Sequence, residues 1–476
     1  MLRDVITTVS DGLLGFDGEK GDGTHVKIGA SPVESDKPIV ISGNMTVSSI
    51  REKLGLCPLA DKVMDSVENG ASKILCIPVA PSVQGSIGAV TGVRGDGVPT
   101  GEITATGSPT NAFDVQILIT GSGERNTGLF TYSIDGGHSF YDDVGIPFDG
   151  AFDIPQTGVK ISFSEATSEE PTPFQAGDLF TFSTKAPSLS NAGVLDAVDK
   201  LRYIKEEFEA VHIVGEAQPG LWAAASEKQK ELETAYHKPL AFVLEAYLPN
   251  HNEPLKDYAE RLISDAKSVA NPNVQIVAAR ALYRGMDGVT REVNGAGIVM
   301  GLYARAGVHQ SIGRTASTAG MGISSSKMAE LRPVGIEPFI KVLDEGRLLT
   351  FRTYNGLDGF FVTNARVASP KGSDYRYMED VRVKNKIIRE VRKAALPLLQ
   401  DDIDLSDVQG ELDARAKFLE EPLDKMATAN EITSGSITVP EGQDILQSET
   451  MSVIIRYLSR GYIREIRVDI GRASAE

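Results

Sequence analysis

The chain has 476 residues, 41% hydrophobic and 24% charged, the balance of soluble globular protein in a length that calls for three or four domains at roughly 100–200 residues each. A net charge of −17 argues against general nucleic-acid binding, which needs a basic footprint, and favours repulsion between free copies. No run approaches the ~18 apolar residues that span a bilayer, Met1-Leu2-Arg3-Asp4 opens no signal-peptide core, and Cys57 and Cys76 make no disulfide framework. The expectation is a cytoplasmic product with no membrane insertion.

Residues 1–25 read as an arm. Val5, Ile6, Thr7, Thr8 and Val9 form a β-branched strand signal. Gly12, Gly15, Gly18, Gly21 and Gly23 follow and make a flexible tether. A strand held this loosely is poorly placed to pair within its own domain, although an ordinary N-terminal edge strand fits the same composition.

Residues 26–87 and 188–355 read as one α/β unit with an insertion. Strands are expected at 26–28, 38–42, 74–79, 211–214, 241–244 and 274–278. Helices are expected at 46–54, 59–69, 191–208, 221–236, 255–269 and 295–306. Apolar runs alternating with helical patterns imply a mixed sheet covered by helices. Residues 88–187 are rich in Gly, Thr, Ser and Pro, with short alternating runs such as 113–119, 129–134 and 179–183 and the turn signal Asp135-Gly136-Gly137. This predicts an inserted, outward-facing all-β sandwich.

From 356 to 476 the character changes again. A helical pattern over 377–396 carries Arg382, Lys384, Lys386, Arg389, Arg392 and Lys393; from 401 to 424 acidic residues dominate. Two strand signals follow at 452–458 and 462–470. In the first, Val453, Ile455 and Tyr457 alternate with Ile454, Arg456 and Leu458. In the second, Ile463, Ile466, Val468 and Ile470 alternate with charged residues over most of its length. Period-2 alternation predicts a terminal hairpin with an apolar face. The fold class is therefore multidomain α/β (α+β): a helix-covered mixed sheet, an inserted β-sandwich, and a C-terminal α/β domain ending in a hairpin arm.

A search for chemistry finds little. Gly295, Gly297 and Gly301 miss the dinucleotide spacing by one position, and close helix packing explains them better. Gly322-Ile323-Ser324-Ser325 lacks the second glycine of a nucleophile elbow. His25, His138, His212, His237, His251 and His309 are scattered without metal-ligand spacing. Asp135, Asp142 and Asp143 read as a solvated loop rather than a cation site. The expectation is no catalytic residue, no cofactor and no metal. The alternative kept open is an α/β enzyme with an appended β-sandwich binding module.

What remains is association chemistry. A strand added to another chain's sheet gains main-chain hydrogen bonds, and its apolar face sets the register. Here a resemblance bears on the reading. Phe360-Phe361-Val362-Thr363-Asn364-Ala365-Arg366 and Ser373-Asp374-Tyr375-Arg376-Tyr377-Met378-Glu379-Asp380-Val381-Arg382 resemble the core of contractile tail sheath proteins of phages, prophages and R-type bacteriocins. Ser10-Asp11-Gly12-Leu13-Leu14-Gly15 is similar to the start of one sheath group, and the insert around Tyr132–Gly137 to a sheath decoration domain.

The resemblance implies stacked hexameric rings around an inner tail tube, with contraction driving the tube through a target cell envelope. Implied partners are further copies of the chain, the tube protein, and baseplate and tail-terminator proteins. The location is a virion tail or bacteriocin particle assembled in the host cytoplasm. It assigns residues 5–9 and 451–470 to arms exchanged between subunits. It makes the basic helix, with Arg382, Lys386, Arg389, Arg392 and Lys393, the tube-facing candidate.

Overall fold

The computed structural model describes residues 22–95, 97–164, 172–316 and 320–472. The strand expected at Val5–Val9 lies outside the described residues. The chain divides into two compact units, residues 1–381 and 382–476.

In the larger unit, near-continuous apolar runs form strands buried on both faces, as helix-covered parallel sheets require. The sheet has six strands in the order Val274–Val277, Ala241–Ala246, Ala210–Ala217, His25–Ala30, Lys73–Val79, Ile39–Ser42. All pair in parallel except Ile39–Ser42, the antiparallel edge. Every expected core strand is present. Val26 stands opposite Leu75 and Val211, which fixes one apolar face. That face packs on Val194, Val198, Leu221, Trp222, Tyr258 and Leu262, from the helices Asn191–Asp199, Pro219–Thr234 and Leu255–Ala266. On the other face, Ile74, Cys76 and Val214 meet Ile50, Leu54, Leu59, Val63 and Met64 of Val47–Leu54 and Pro58–Glu68.

Helix Ala296–Arg305 lies against Pro58–Glu68. The glycines noted in the sequence permit this approach. A Cβ on Gly297 would sit 2.9 Å from Asp65 Cβ, and one on Gly301 would sit 2.5 Å from the Ser66 carbonyl oxygen. These glycines serve helix packing. The expected helix over 191–208 is shorter: it ends at Asp199, passes through a 3-10 turn at Lys200–Tyr203, and leaves through extended Ile204.

The insertion forms two antiparallel sheets. One contains Asp114–Gly121, Leu129–Ser133 and Leu179–Lys185; the other contains Glu102–Gly107, Ala151–Ile154 and Val159–Ser164. Their inward residues make a separate core, with Ile117, Phe130, Ile161, Phe163 and Phe174 fully enclosed. The turn after Leu129–Ser133 uses Gly136 and Gly137 at φ +74° and +90°, a region that glycine enters without Cβ strain.

The smaller unit holds the rest of helix Met378–Ala395, the helix Val408–Thr428, and two strands. Val383, Ile387, Val391, Leu412, Leu419, Leu423 and Ile437 are among its buried residues. Asp407 caps the second helix by accepting from the Gly410 amide.

The expected terminal hairpin does not form. Ile454–Leu458 pairs antiparallel with Ser434–Thr438, with Ile455 opposite Ile437 and Tyr457 opposite Gly435. Residues 459–472 adopt no strand. The reason lies in phase. Ile466, Val468 and Ile470 alternate strictly, but Ile463 has the opposite parity, so the segment has no continuous apolar face to lay on Ile454–Leu458. Ser434–Thr438 instead gains packing on the helix Val408–Thr428, where Ile437 is buried.

Candidate functional site

The C-terminal strand pair places the arm residues in two classes. Val453, Ile455 and Tyr457 are half-buried on the inner face of the two-stranded sheet, while Ile454 and Leu458 face outward. They are therefore part of the unit's own structure. Beyond Leu458 the chain runs out with Ile463, Ile466, Val468 and Ile470 at 85%, 78%, 73% and 87% exposure. These aliphatic side chains meet water while Arg464, Glu465, Arg467 and Asp469 stand between them. The sheet has two strands and no third among the described residues. A two-stranded ribbon is marginal by itself, and an edge of unpaired amides and carbonyls is a template for another strand.

The basic helix also divides. Arg382 is buried, at 5% exposure. Lys386 donates to Glu431 Oε1 at 2.7 Å, with both side chains largely covered. These two candidates are corrected: Arg382 is buried and Lys386 is covered and paired with Glu431, so neither is an open charge on the helix surface. The helix turns one face inward through Val383, Ile387 and Val391, and Lys386 lies beside that face. Arg389 is half-buried; Arg392 and Lys393 are exposed in the last turn, with Lys393 paired to Glu390 at 3.0 Å. Cations at a helix C-terminus are favoured by the aligned peptide dipoles.

The sequence reading missed a buried charged row in the larger unit. Cys76, Lys27, His212, Val243 and Gln275 are cross-strand neighbours on one face of the sheet. Lys27 Nζ donates to His212 Nδ1 at 2.8 Å. His212 Nε2 then carries the hydrogen and donates to Glu245 Oε1 at 3.0 Å. Lys62 Nζ lies 3.9 Å from both Glu245 and Asp65, and donates to the Asn294 carbonyl at 2.5 Å. Gln275 bonds Tyr303 of the covering helix.

Burial dominates the titration here. It lowers Lys27 to about 7. It lowers His212 to about 3, with the neighbouring Lys27 adding to the effect. Glu245 falls to about 2: burial pushes it up, but Lys62 and His212 outweigh that. Asp65 rises to about 6 through burial. Burial also raises the Cys57 and Cys76 thiols, to about 11 and 12. Perturbed groups mark functional sites only where a substrate reaches them; this row is sealed under two helices and acts as a polar seam between helices and sheet. The signal was available: Lys27, His212 and Glu245 each interrupt a run of buried apolar residues.

Among the described residues no set of His, Cys, Asp and Glu side chains is grouped to hold a metal ion, and no helix is long and apolar enough to cross a membrane. A hollow of about 10 Å³ lined by Arg280, Leu331, Ile336, Leu343 and Phe351 has the size of one water.

The layered fold is matched by a solved structure that covers nearly the whole chain. A chain of the anti-feeding prophage baseplate in its contracted state has this fold, at 10% identity over 99% of this chain and 97% of that chain, with a TM-score of 0.53. Sheath tail proteins from Desulfitobacterium hafniense (15% identity, 96% of this chain, 100% of that chain, TM-score 0.49) and Listeria innocua (14%, 93%, 96%, 0.46) are also similar in structure. The chain belongs to the DUF2586 family: residues 2–366 match the DUF2586 N-terminal domain and residues 374–475 the DUF2586 C-terminal domain. No curated protein matches it.

Proposed function

We propose that the chain is a structural subunit of a contractile tail sheath, which polymerises as stacked hexameric rings around an inner tail tube and contracts to drive that tube through a target envelope. The observation that carries this reading is the segment after Leu458, whose four large aliphatic side chains lie open to water. Burying such side chains contributes about 1.5–3 kcal/mol each, so a solvent-exposed row of them is costly unless a neighbour covers it. The fold shared with a chain of a contracted baseplate supports the same reading.

In this account the segment 459–472 adds as a strand to the two-stranded sheet of a second copy, and Val5–Val9 serves as a further arm. Cross-strand pairs contribute roughly 0.2–1 kcal/mol each, so one joint contributes a few kcal/mol, and repetition makes a deformable mesh. The C-terminal part of the basic helix, with Arg389, Arg392 and Lys393, faces the tube. Baseplate and terminator proteins bound the polymer in a virion tail or related particle. The test is electron microscopy of the purified chain with its tube protein. Striated cylinders or rings are expected; monodisperse monomers in the presence of the tube protein would overturn the reading.

A further inference from the structure

An asparagine followed by glycine is prone to lose its side-chain amide, because no Cβ on the next residue hinders the approach of that residue's backbone nitrogen to the carboxamide. The chain has three such pairs: Asn69-Gly70, Asn294-Gly295 and Asn355-Gly356. Two of them are locked. Asn294 is buried; its Nδ2 donates to the Val277 carbonyl at 2.9 Å, its Oδ1 accepts from the Ala296 amide at 2.9 Å, and the Gly295 amide donates to the Ala279 carbonyl at 2.8 Å. Asn69 Nδ2 donates to the Asp65 carbonyl at 2.8 Å and to the Tyr283 hydroxyl oxygen at 3.0 Å, and the Gly70 amide donates to the Val67 carbonyl at 3.1 Å. A Cβ on Gly295 would sit 2.5 Å from the Phe351 ring, and one on Gly70 would sit 2.8 Å from Arg305 Cβ, so neither backbone has room to turn.

The third pair is placed differently. Asn355-Gly356 is the two-residue turn that joins the strands Phe351–Tyr354 and Leu357–Val362, with Tyr354 opposite Leu357. Both turn residues are exposed. Gly356 sits at φ +91°, with nothing within 4 Å of the place a Cβ would take. Neither the Asn355 carboxamide nor the Gly356 amide makes a hydrogen bond among the described residues. The ladder below is irregular between Arg352 and Tyr354, so only the Tyr354–Leu357 pair has to open for the turn to rotate. Openings at such exposed ends lie at the low end of the range of local stabilities.

We propose that Asn355 is a self-modification site, where the folded chain deamidates and isomerises without an enzyme. Groups held on adjacent residues react as if at very high concentration. The Gly356 nitrogen bonds to Asn355 Cγ, the Cγ–Nδ2 bond breaks, and the Gly356 amide proton leaves with Nδ2 as ammonia. One water then opens the five-membered imide. Opening at Cγ gives aspartate; opening at the backbone carbonyl gives isoaspartate, in which the chain runs through Cγ. The product carries a carboxylate close to Asp358 where a neutral side chain stood. Isoaspartate also adds one carbon to the backbone of a two-residue turn, which breaks the Tyr354–Leu357 register at the free end of the hairpin, away from the buried Phe361 and Val362. The site stands independently of the sheath reading.

The test uses the full chain, incubated warm at mildly alkaline pH, with a parallel incubation in urea, and sampled over time by peptide mass mapping. Deamidation reads as a gain of one dalton in the peptide that holds the asparagine. Isoaspartate in the isolated peptide reads as methyl acceptance from S-adenosylmethionine, catalysed by an isoaspartyl methyltransferase. Near-UV circular dichroism verifies that the chain without urea stays folded. In the folded chain Asn355 should convert at least tenfold faster than both Asn69 and Asn294, with isoaspartate among its products, and in urea the three rates should converge. The proposal is overturned if Asn355 in the folded chain is less than tenfold faster than either of the other two, or if its peptide accepts no methyl group. A tenfold gap that persists in urea would assign the difference to local sequence and would overturn it as well.

Discussion

Lys27 and His212 are cross-strand neighbours in the central sheet, and their side chains meet at 2.8 Å with no access to water. A lysine that burial lowers from 10.5 to about 7 binds fewer protons in the folded chain than in the unfolded chain between those values. Stability of the larger unit should therefore rise with pH from about 7 towards 10.5 on account of Lys27, and level off below 7, where both states hold the proton. His212, at about 3 against 6.5, acts with the same sign between those values, and Glu245 does so between about 2 and 4.5; Asp65, at about 6 against 3.8, opposes them between 3.8 and 6. Urea midpoints measured at pH 7 and 9.5 check the alkaline window. Lys27→Met should flatten the rise; an unchanged rise would assign it to another group.

Glu245 holds the seam together from the other end. It accepts from His212 and faces Lys62. Glu245→Leu leaves both without their carboxylate inside the protein, and breaking a buried pair costs about 3–5 kcal/mol. The urea midpoint of the larger unit should fall steeply. A change near zero would mean that water or a rearranged Asp65 replaces the lost acceptor.

The two regions differ in how much of them the sequence disclosed. The core strands were legible because Val211-His212-Ile213-Val214 and Ile74-Leu75-Cys76-Ile77 are too apolar to lie anywhere but inside a sheet. The partner of Lys27 was not, since His212 stands beside it only through the strand order, and Lys62 reaches Glu245 only through the packing of the helix Pro58–Glu68. Ser434–Thr438, with Gly435 and two serines, carries no strand signal of its own and is a strand because Ile454–Leu458 and the helix Val408–Thr428 make it one. Arg382 and Arg392 look alike in a helical pattern, and only packing shows that one is inside and the other outside.

Gly301 tests the helix seam. A Cβ there would lie 2.5 Å from the Ser66 carbonyl oxygen and 2.6 Å from Asn69 Cβ, so Gly301→Ala must push the helices Ala296–Arg305 and Pro58–Glu68 apart. Overpacking costs typically 1–3 kcal/mol. Gly220→Ala, where the nearest atom is 4.0 Å away, should be neutral or slightly stabilising. Equal effects from the two, read as urea midpoints, would refute close packing as the role of Gly301.

The arm has a defined cut point. Truncation after Leu458 keeps the Ser434–Thr438 pairing and removes the exposed aliphatic row, so the smaller unit should keep its circular dichroism while the polymerisation proposed for this chain is lost. Truncation after Thr450 also removes Ile454–Leu458 and should unfold the strand pair. Ile437→Asp, which puts a charge on a buried position, should likewise destabilise the unit by several kcal/mol. Normal cylinders from the Leu458 truncation would show that the tail is dispensable for assembly.

The correction to the basic helix separates structure from contact. Arg382→Glu and Lys386→Glu put a carboxylate where a buried cation stands, and the second places it against Glu431; both should lower the stability of the smaller unit. Arg392→Glu with Lys393→Glu alters exposed charge at the helix end, so its effect on folding should stay within ~1 kcal/mol. If the helix end faces a tube as proposed, its effect on co-assembly should be large at low salt and shrink as ionic strength rises, because the Debye length falls from ~30 Å at 0.01 M to ~10 Å at 0.1 M. Sedimentation of this chain mixed with the tube protein across that range reads the contrast. Unchanged co-assembly at 0.01 M salt would move the tube contact off this helix.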